Sequence, residues 1–373
     1  MSTIDRQVAL CALNKHFGFH PRQVLDDLDA HIARLEPDQL AWAEQELKQI
    51  RERGFRFLSI LDEDYPEALR ECPEPPLGLY LNGTSSPTEI FALRPLVAFV
   101  GTRDLSPYGK AWCRKLVLAL ADAAVQPTIV SGLALGVDGV AHRTALECGL
   151  PTIGIMATGL DSIYPWQHEQ LARSMVETPG CGLLTDYPLD TQPVALNFVR
   201  RNRIIAGLVS AVVVVESKTK GGSLMTAKYA VEYDRDVFAV PGRLDDVRSA
   251  GCNSLIATQM ARIITSPEQL VDALGLGGSR RHRDAGGSWV TYQAGDPPEK
   301  VLQARLTRQY GAGALPVAVG LAVQAQRGIG LEELCGALHR PYGEILGAVG
   351  QLEADGVVTT DLLRRCSLAP GWE

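Results

Sequence analysis

The chain has 373 residues, 36 of them Lys or Arg and 43 Asp or Glu, for a formal net charge of −7. At ~100–200 residues per domain it holds two or three domains. No run of ~18 apolar residues exists, which excludes a transmembrane helix. The first ten residues, broken by Asp5 and Arg6, lack an apolar signal core. The eight cysteines form no CxxC pair, so neither zinc nor any other metal or cofactor is expected, and the thiols read as those of a reduced, cytoplasmic protein. Taken alone, a charge of −7 disfavours a nucleic-acid partner.

Residues 1–80 read as a helical N-terminal domain. Leu25, Leu28, Ile32 and Leu35 recur at helical spacing, as do Leu40, Ala43, Leu47 and Ile50. Phe55–Ile60 alternates like a strand, and Pro66, Pro73, Pro75 and Pro76 mark turns. Over 81–275 the pattern becomes α/β. Apolar strands are predicted at Leu96–Val100, Thr128–Val130, Thr152–Met156, Ala211–Val215 and Val237–Val240. Between them lie amphipathic helices near 109–124, 137–148, 168–175 and 224–233. Strands apolar throughout, joined by helices, predict a doubly wound parallel sheet covered on both faces. A Gly/Arg-rich linker follows over 276–314, containing Arg280-Arg281-His282-Arg283. Residues 315–373 outline a winged helix: a helix at 331–338, another at Tyr342–Ala354 with Ile345, Val349 and Leu352 on one face, then a strand from Gly356.

Chemistry concentrates where strands end. Gly101-Thr102-Arg103 follows the first core strand, and Ser106-Pro107 then opens a helix. Such a turn admits a close ligand, and a helix N-terminus favours an anion. Ser131-Gly132 begins the second loop, where Asp138 and His142 share a helix face. They read either as an acid/base pair or as a loop-fixing hydrogen bond. The third loop, Lys218-Thr219-Lys220-Gly221-Gly222-Ser223, reads as a phosphate-binding concavity. All three belong at the carboxyl ends of parallel strands, where doubly wound folds bind ligands. No GxGxxG, GxxxxGK[ST] or GxSxG motif is present.

Upstream of the third loop, Arg200, Arg201, Asn202 and Arg203 make a basic run. From Asn197 to Gly222 five cations meet one acid, a local charge of +4. Anchored by the apolar stretch that follows, this segment reads as a polyanion contact. Tyr164, Trp166 and Phe198 are candidate rings for base stacking.

Together these segments resemble the DprA/Smf family of DNA-processing proteins. The likeness is carried by Phe57–Pro66, Gly101–Arg103, Ser131–His142, Gly159–Pro165, Asn197–Gly207, Gly222–Ala227, Arg235–Gly242 and Gly251–Ile256. It implies an extended Rossmann-like core between a helical N-terminal domain and a C-terminal winged helix. It also implies a non-enzymatic protein that binds single-stranded DNA, dimerises through the core and helps load the RecA recombinase during natural transformation. Arg103 matches the arginine that contacts DNA in the family, and Arg201-Asn202-Arg203 matches its arginine-asparagine-arginine run. Val199, Gly221, Leu135 and Trp166 stand where the family has proline, serine, arginine and a basic residue.

The residues admit two other readings. A nucleotide or sugar-phosphate enzyme of phosphoribohydrolase type needs an acid beside the glycine loop, and the first downstream glutamate is Glu232. A winged helix that reads DNA should be basic. Residues 315–373 carry a net −3, so that domain is expected to contribute little affinity. Residues 1–80 carry −6, which leaves 81–314 at +2. The acidity sits in the flanks, and the core is the segment fit for nucleic acid.

Overall fold

The computed structural model describes residues 5–18, 21–91, 93–277, 280–283, 289–292, 302–303, 306–307, 309–311, 313–361 and 364–369. They divide into two compact units, Met1–Leu276 and Gly277–Glu373.

A nine-stranded sheet organises the first unit. Its strands are β1 (Arg56–Ser59), β2 (Gly78–Asn82), β3 (Leu96–Val100), β4 (Thr128–Ser131), β5 (Thr152–Ile155), β6 (Gly182–Thr185), β7 (Ala211–Val214), β8 (Asp236–Ala239) and β9 (Arg262–Ile263). Across the sheet they run β1-β2-β6-β5-β4-β3-β7-β8-β9. Strands β3 to β9 are parallel. β1 and β2 close one side antiparallel, with Tyr80 opposite Thr185.

The unbroken apolar character of the strands follows from burial on both faces. Ala98, Val100, Val212 and Val214 face one core, while Val97, Phe99, Val213 and Phe238 face another. Burying each such side chain is worth about 1.5–3 kcal/mol.

The N-terminal helices are α1 (Arg6–Phe17), α2 (Pro21–Leu25), α3 (Leu28–Ala33) and α4 (Pro37–Glu52), followed by α5 (Glu67–Arg70) and α6 (Pro87–Phe91). They do not form a core of their own. Cys11, Ala12, Ala43, Leu47 and Ile50 pack with Phe57, Tyr80 and Leu183 of the sheet. The boundary expected near residue 80 therefore runs through a continuous structure: β1 and β2 belong to the main sheet, and the helices are fastened to it.

The crossovers are α7 (Pro107–Ala121), α8 (Val137–Glu147), α9 (Glu169–Glu177), α10 (Ala195–Leu208), α11 (Gly222–Glu232) and α12 (Ala250–Ala257), and α13 (Pro267–Ala273) follows the last strand. Ser106 caps α7, accepting from the Gly109 N–H at 3.0 Å, with Pro107 at the first helical position.

The second unit contains helix Leu315–Ala325, strand Ile329–Gly330, helices Leu331–Leu338 and Tyr342–Ala354, and strands Val358–Thr360 and Arg365–Leu368. Arg365–Leu368 is the middle strand of a three-stranded antiparallel sheet. Ile345, Val349 and Leu352 point inward, as their spacing predicts. The helix Leu315–Ala325 was not legible in sequence. Within the segment read as a linker, Arg280–Arg283 pairs with Trp289–Tyr292 as two antiparallel strands.

Candidate nucleic-acid interface

Strands β3 and β7 are neighbours, but their crossovers diverge: β3 leads through α7 to β4 on one side, and β7 through α11 to β8 on the other. Such a switch point opens a crevice at the carboxyl ends of the strands. Gly101–Arg103 and Val215–Ser223 meet there. Thr102 N–H donates to the Glu216 carbonyl at 2.7 Å, and Val137 N–H donates to the Thr102 carbonyl at 3.3 Å. Gly101 and Gly136 allow this close approach. A Cβ on Gly101 would lie 2.4 Å from Val137 Cγ2, and one on Gly136, at φ +81°, would lie 2.1 Å from the Thr102 carbonyl oxygen.

Two of the three expected anion seats are occupied by the protein itself. At the start of α7 the buried Glu216 carboxylate accepts from the Ser106 N–H at 3.0 Å and from its hydroxyl at 2.5 Å. In the second loop the buried Asp138 carboxylate accepts the N–H groups of Gly132 and Ala134 at 3.0 and 3.2 Å. Burial pushes the Asp138 carboxyl above the usual carboxylate range, while the Arg201 guanidinium and these N–H groups pull the other way. Asp138 therefore fixes its loop and forms no acid/base pair with His142. The His142 ring bonds to Thr152 Oγ1 at 2.7 Å, and burial takes it down to about 3, which keeps it neutral.

Most of the basic run is enclosed, all round the second half of α10. Arg201 is 4% exposed, and its guanidinium donates to the carbonyls of Gly132, at 2.6 Å, and of Ile155. Burial lowers it to about 10, so it stays charged at neutral pH. Arg203 is 6% exposed and ion-paired to Asp186 at 2.7 Å, and it also donates to the carbonyls of Gly18 and Glu74. Asn202 is buried and donates to the Gly222 carbonyl at 3.2 Å.

The side chains of all three are spent on internal partners: of the charges counted along the chain, Arg203 is ion-paired inside the fold and Arg201 is enclosed by carbonyls. Ser131, whose hydroxyl donates to the Phe99 carbonyl at 2.6 Å, Gly132, and Ser223, whose hydroxyl donates to Ser217 Oγ at 2.9 Å, are likewise buried.

What faces solvent is smaller and more coherent. Arg103, Lys218, Lys220 and Gly222 are exposed, while Gly101, Thr102, Arg200 and Gly221 are half-buried. Lys218 Nζ lies 3.7 Å from Asp104. The Arg103 guanidinium sits over the Phe198 ring at 5.2 Å, and Tyr164 meets that ring edge-on at 5.4 Å. The loops after β3 and β5 and the start of α10 thus bring a cation and two aromatic rings into one row. Trp166 is 74% exposed, and Leu135 also faces solvent.

Of the internal acids, Asp138 has the loop-fixing role that its sequence position offered, with partners four and six residues away. Glu216 and Asp186 were not found as structural acids, because Ser106 lies 110 residues from Glu216 and Asp186 shows no motif that ties it to Arg203. Glu232, the acid an enzymatic reading would need, is exposed at the far end of α11. Among the described residues no cluster of His, Cys, Asp and Glu could hold a metal ion, and no helix is long and apolar enough to cross a membrane.

The fold and the site define a doubly wound α/β protein that presents cations and aromatic rings at the carboxyl edge of its sheet. The family model for DNA recombination-mediator protein A matches residues 56–275, and the chain belongs to that family. It is 42% identical over 231 residues to Protein Smf of Synechocystis, covering 62% of this chain and 57% of that protein, so it spans less than two thirds of that relative's length. A solved structure of DNA processing protein A from Streptococcus pneumoniae has a TM-score of 0.57 at 33% identity, covering 73% of this chain and 94% of that one. The protein of the same name from Helicobacter pylori, solved to describe its single-stranded DNA binding mode, has a TM-score of 0.52 at 30% identity over 59% of this chain and 95% of that one.

Proposed function

We propose that this chain binds single-stranded DNA along the carboxyl edge of its sheet and acts as a recombination mediator that passes the strand to a RecA-type recombinase. The row Tyr164–Phe198–Arg103 carries this reading. A ring flanked by a guanidinium offers a base a stacking face and its phosphate a counter-charge, and only an unpaired base exposes that face. Lys218 and Lys220 extend the positive edge, and family membership supports the assignment. Pairing of two copies through the core belongs to the same reading. In the second unit the element order, helix-strand-helix-helix-hairpin, is that of a winged helix, and its acidity suits a protein partner better than DNA.

A gel shift with oligo-dT at two salt concentrations tests the site. Wild type should weaken steeply with salt, and Arg103→Ala should bind about tenfold more weakly at low salt. Equal affinities for the two proteins would remove Arg103 from the interface and the reading with it.

A further inference from the structure

Helix α7 leaves the Arg103 loop and carries a second row of rings and cations down its outer side. Tyr108 is 44% exposed, and its hydroxyl donates to the Pro241 carbonyl at 2.6 Å, which fixes the ring at the sheet's carboxyl edge. One turn on, the half-buried Trp112 ring, one side packed against the core beneath α7, lies 6.2 Å from that of Tyr108 at 59°. Lys115 Nζ stands 5.4 Å from the Trp112 centroid. Positions 108, 112 and 115 are spaced i, i+4, i+7 and so share one helix face. Lys110, Arg114 and Lys115 are exposed, and α7 contains no acidic residue. Among the described residues, Arg114 alone of these cations is ion-paired, to Glu147. The loop after β8 flanks the top of this face, with Leu244 97% exposed between the Arg243–Asp245 and Arg248–Asp246 pairs.

We infer that the outer face of α7 is a second tract of single-stranded DNA-binding surface, with Tyr108 and Trp112 stacking bases and Lys115 meeting the backbone. This rests on the edge reading above and extends it. Ring faces on a rigid helix accept any unpaired base, whereas a duplex keeps its bases stacked on each other. The uniform sign of α7 suits a polyanion. The tract begins at Tyr108, five residues from Arg103, so one strand can leave the Phe198 row and continue onto it.

The test uses the full chain and oligo-dT of about six and about twenty nucleotides, which bracket the site sizes of comparable single-strand binders. In the double variant Tyr108→Leu/Trp112→Leu, leucine keeps apolar cover on the core but removes the ring faces. It should lose about tenfold in affinity for the long oligomer and nothing for the short one. Trp112→Phe should bind like wild type. Arg103→Ala should weaken both lengths. If Arg103→Ala weakens both and the double variant weakens neither, the α7 tract is refuted while the edge reading stands. If Arg103→Ala weakens neither, the edge reading itself fails. Photocrosslinking of the wild-type chain to a long oligomer carrying 5-iododeoxyuridine needs no variant to fold: adducts on Tyr108 or Trp112 are expected, and adducts confined to other residues would overturn the proposal. So would a double variant that changes self-association, measured by light scattering, and leaves DNA affinity untouched.

Discussion

Arg203 donates to the Asp186 carboxylate at 2.7 Å in a site where both side chains are almost fully enclosed. The same guanidinium holds the Gly18 and Glu74 carbonyls, so it ties α10 to the N-terminal segment and to the chain just after β6. Burial raises the Asp186 carboxyl above its ordinary range, and the Arg203 charge opposes the shift. Arg203→Ala strands a buried carboxylate and should cost about 3–5 kcal/mol. Arg103→Ala, exposed at the edge, should stay within about 0.5 kcal/mol of wild type. Thermal melts of the two variants check this, and matching losses would contradict the assignment of Arg203 to the interior and Arg103 to the exposed edge.

On the proposed reading, Phe198 and Arg103 would hold a strand through different physics. Phe198→Leu removes a stacking face without removing charge. Affinity for oligo-dT should fall by about 1–3 kcal/mol with the salt slope unchanged. Arg103→Ala should flatten the slope of log K against log salt by about 0.7. Titrations at four salt concentrations separate the two effects.

Gly136 and Gly222 predict opposite outcomes for the same substitution. Gly136→Ala places a methyl group 2.1 Å from the Thr102 carbonyl oxygen at φ +81°. It should destabilise the fold by more than about 1 kcal/mol and weaken single-strand binding, because the backbone that carries Arg103 must move. Gly222→Ala meets nothing within 4 Å and should leave both properties near wild type. Urea midpoints and gel shifts on the pair decide.

His142 gives the protein a dependence on acid. Burial depresses its folded pKa to about 3, against about 6.5 in an unfolded chain. Below 6.5 the unfolded chain takes up a proton that the fold refuses, so stability falls with pH until about 3. Between pH 7 and 5 this contribution is about 2 kcal/mol. His142→Gln should lack it, and chemical denaturation of both proteins at the two pH values measures the difference. A stability gap between wild type and variant that is independent of pH would show an imidazole that titrates normally.

Much of the core could be read from sequence because the parallel strands are apolar on both faces, and runs such as Ala211–Val215 have no other use. β6 went unread because Gly182-Leu183-Leu184-Thr185 is short and opens on glycine. β2 was missed among the turn-like prolines that precede it. The glycine loops were located correctly, yet the reason for two of their glycines lies in backbone packing against Glu216, Val137 and Thr102. Helical periodicity told nothing about Arg201 and Arg203, because the carbonyls that receive them come from loops dozens of residues away. Arg103 was legible as a cation at a strand end. Its seat on Phe198 was not, since 95 positions separate the two.

Glu216 and Asp138 have a consequence beyond holding two loops. Each fills with a carboxylate the backbone cradle in which a dinucleotide-binding relative of this fold would lodge a phosphate. On the proposed reading, soluble mononucleotides would find those cradles taken and have only scattered surface side chains to hold, whereas a long strand would engage the same side chains at many points simultaneously. The self-filled loops would then make polymer length itself the discriminating property, and the protein could stand in a pool of free nucleotides without being titrated by them.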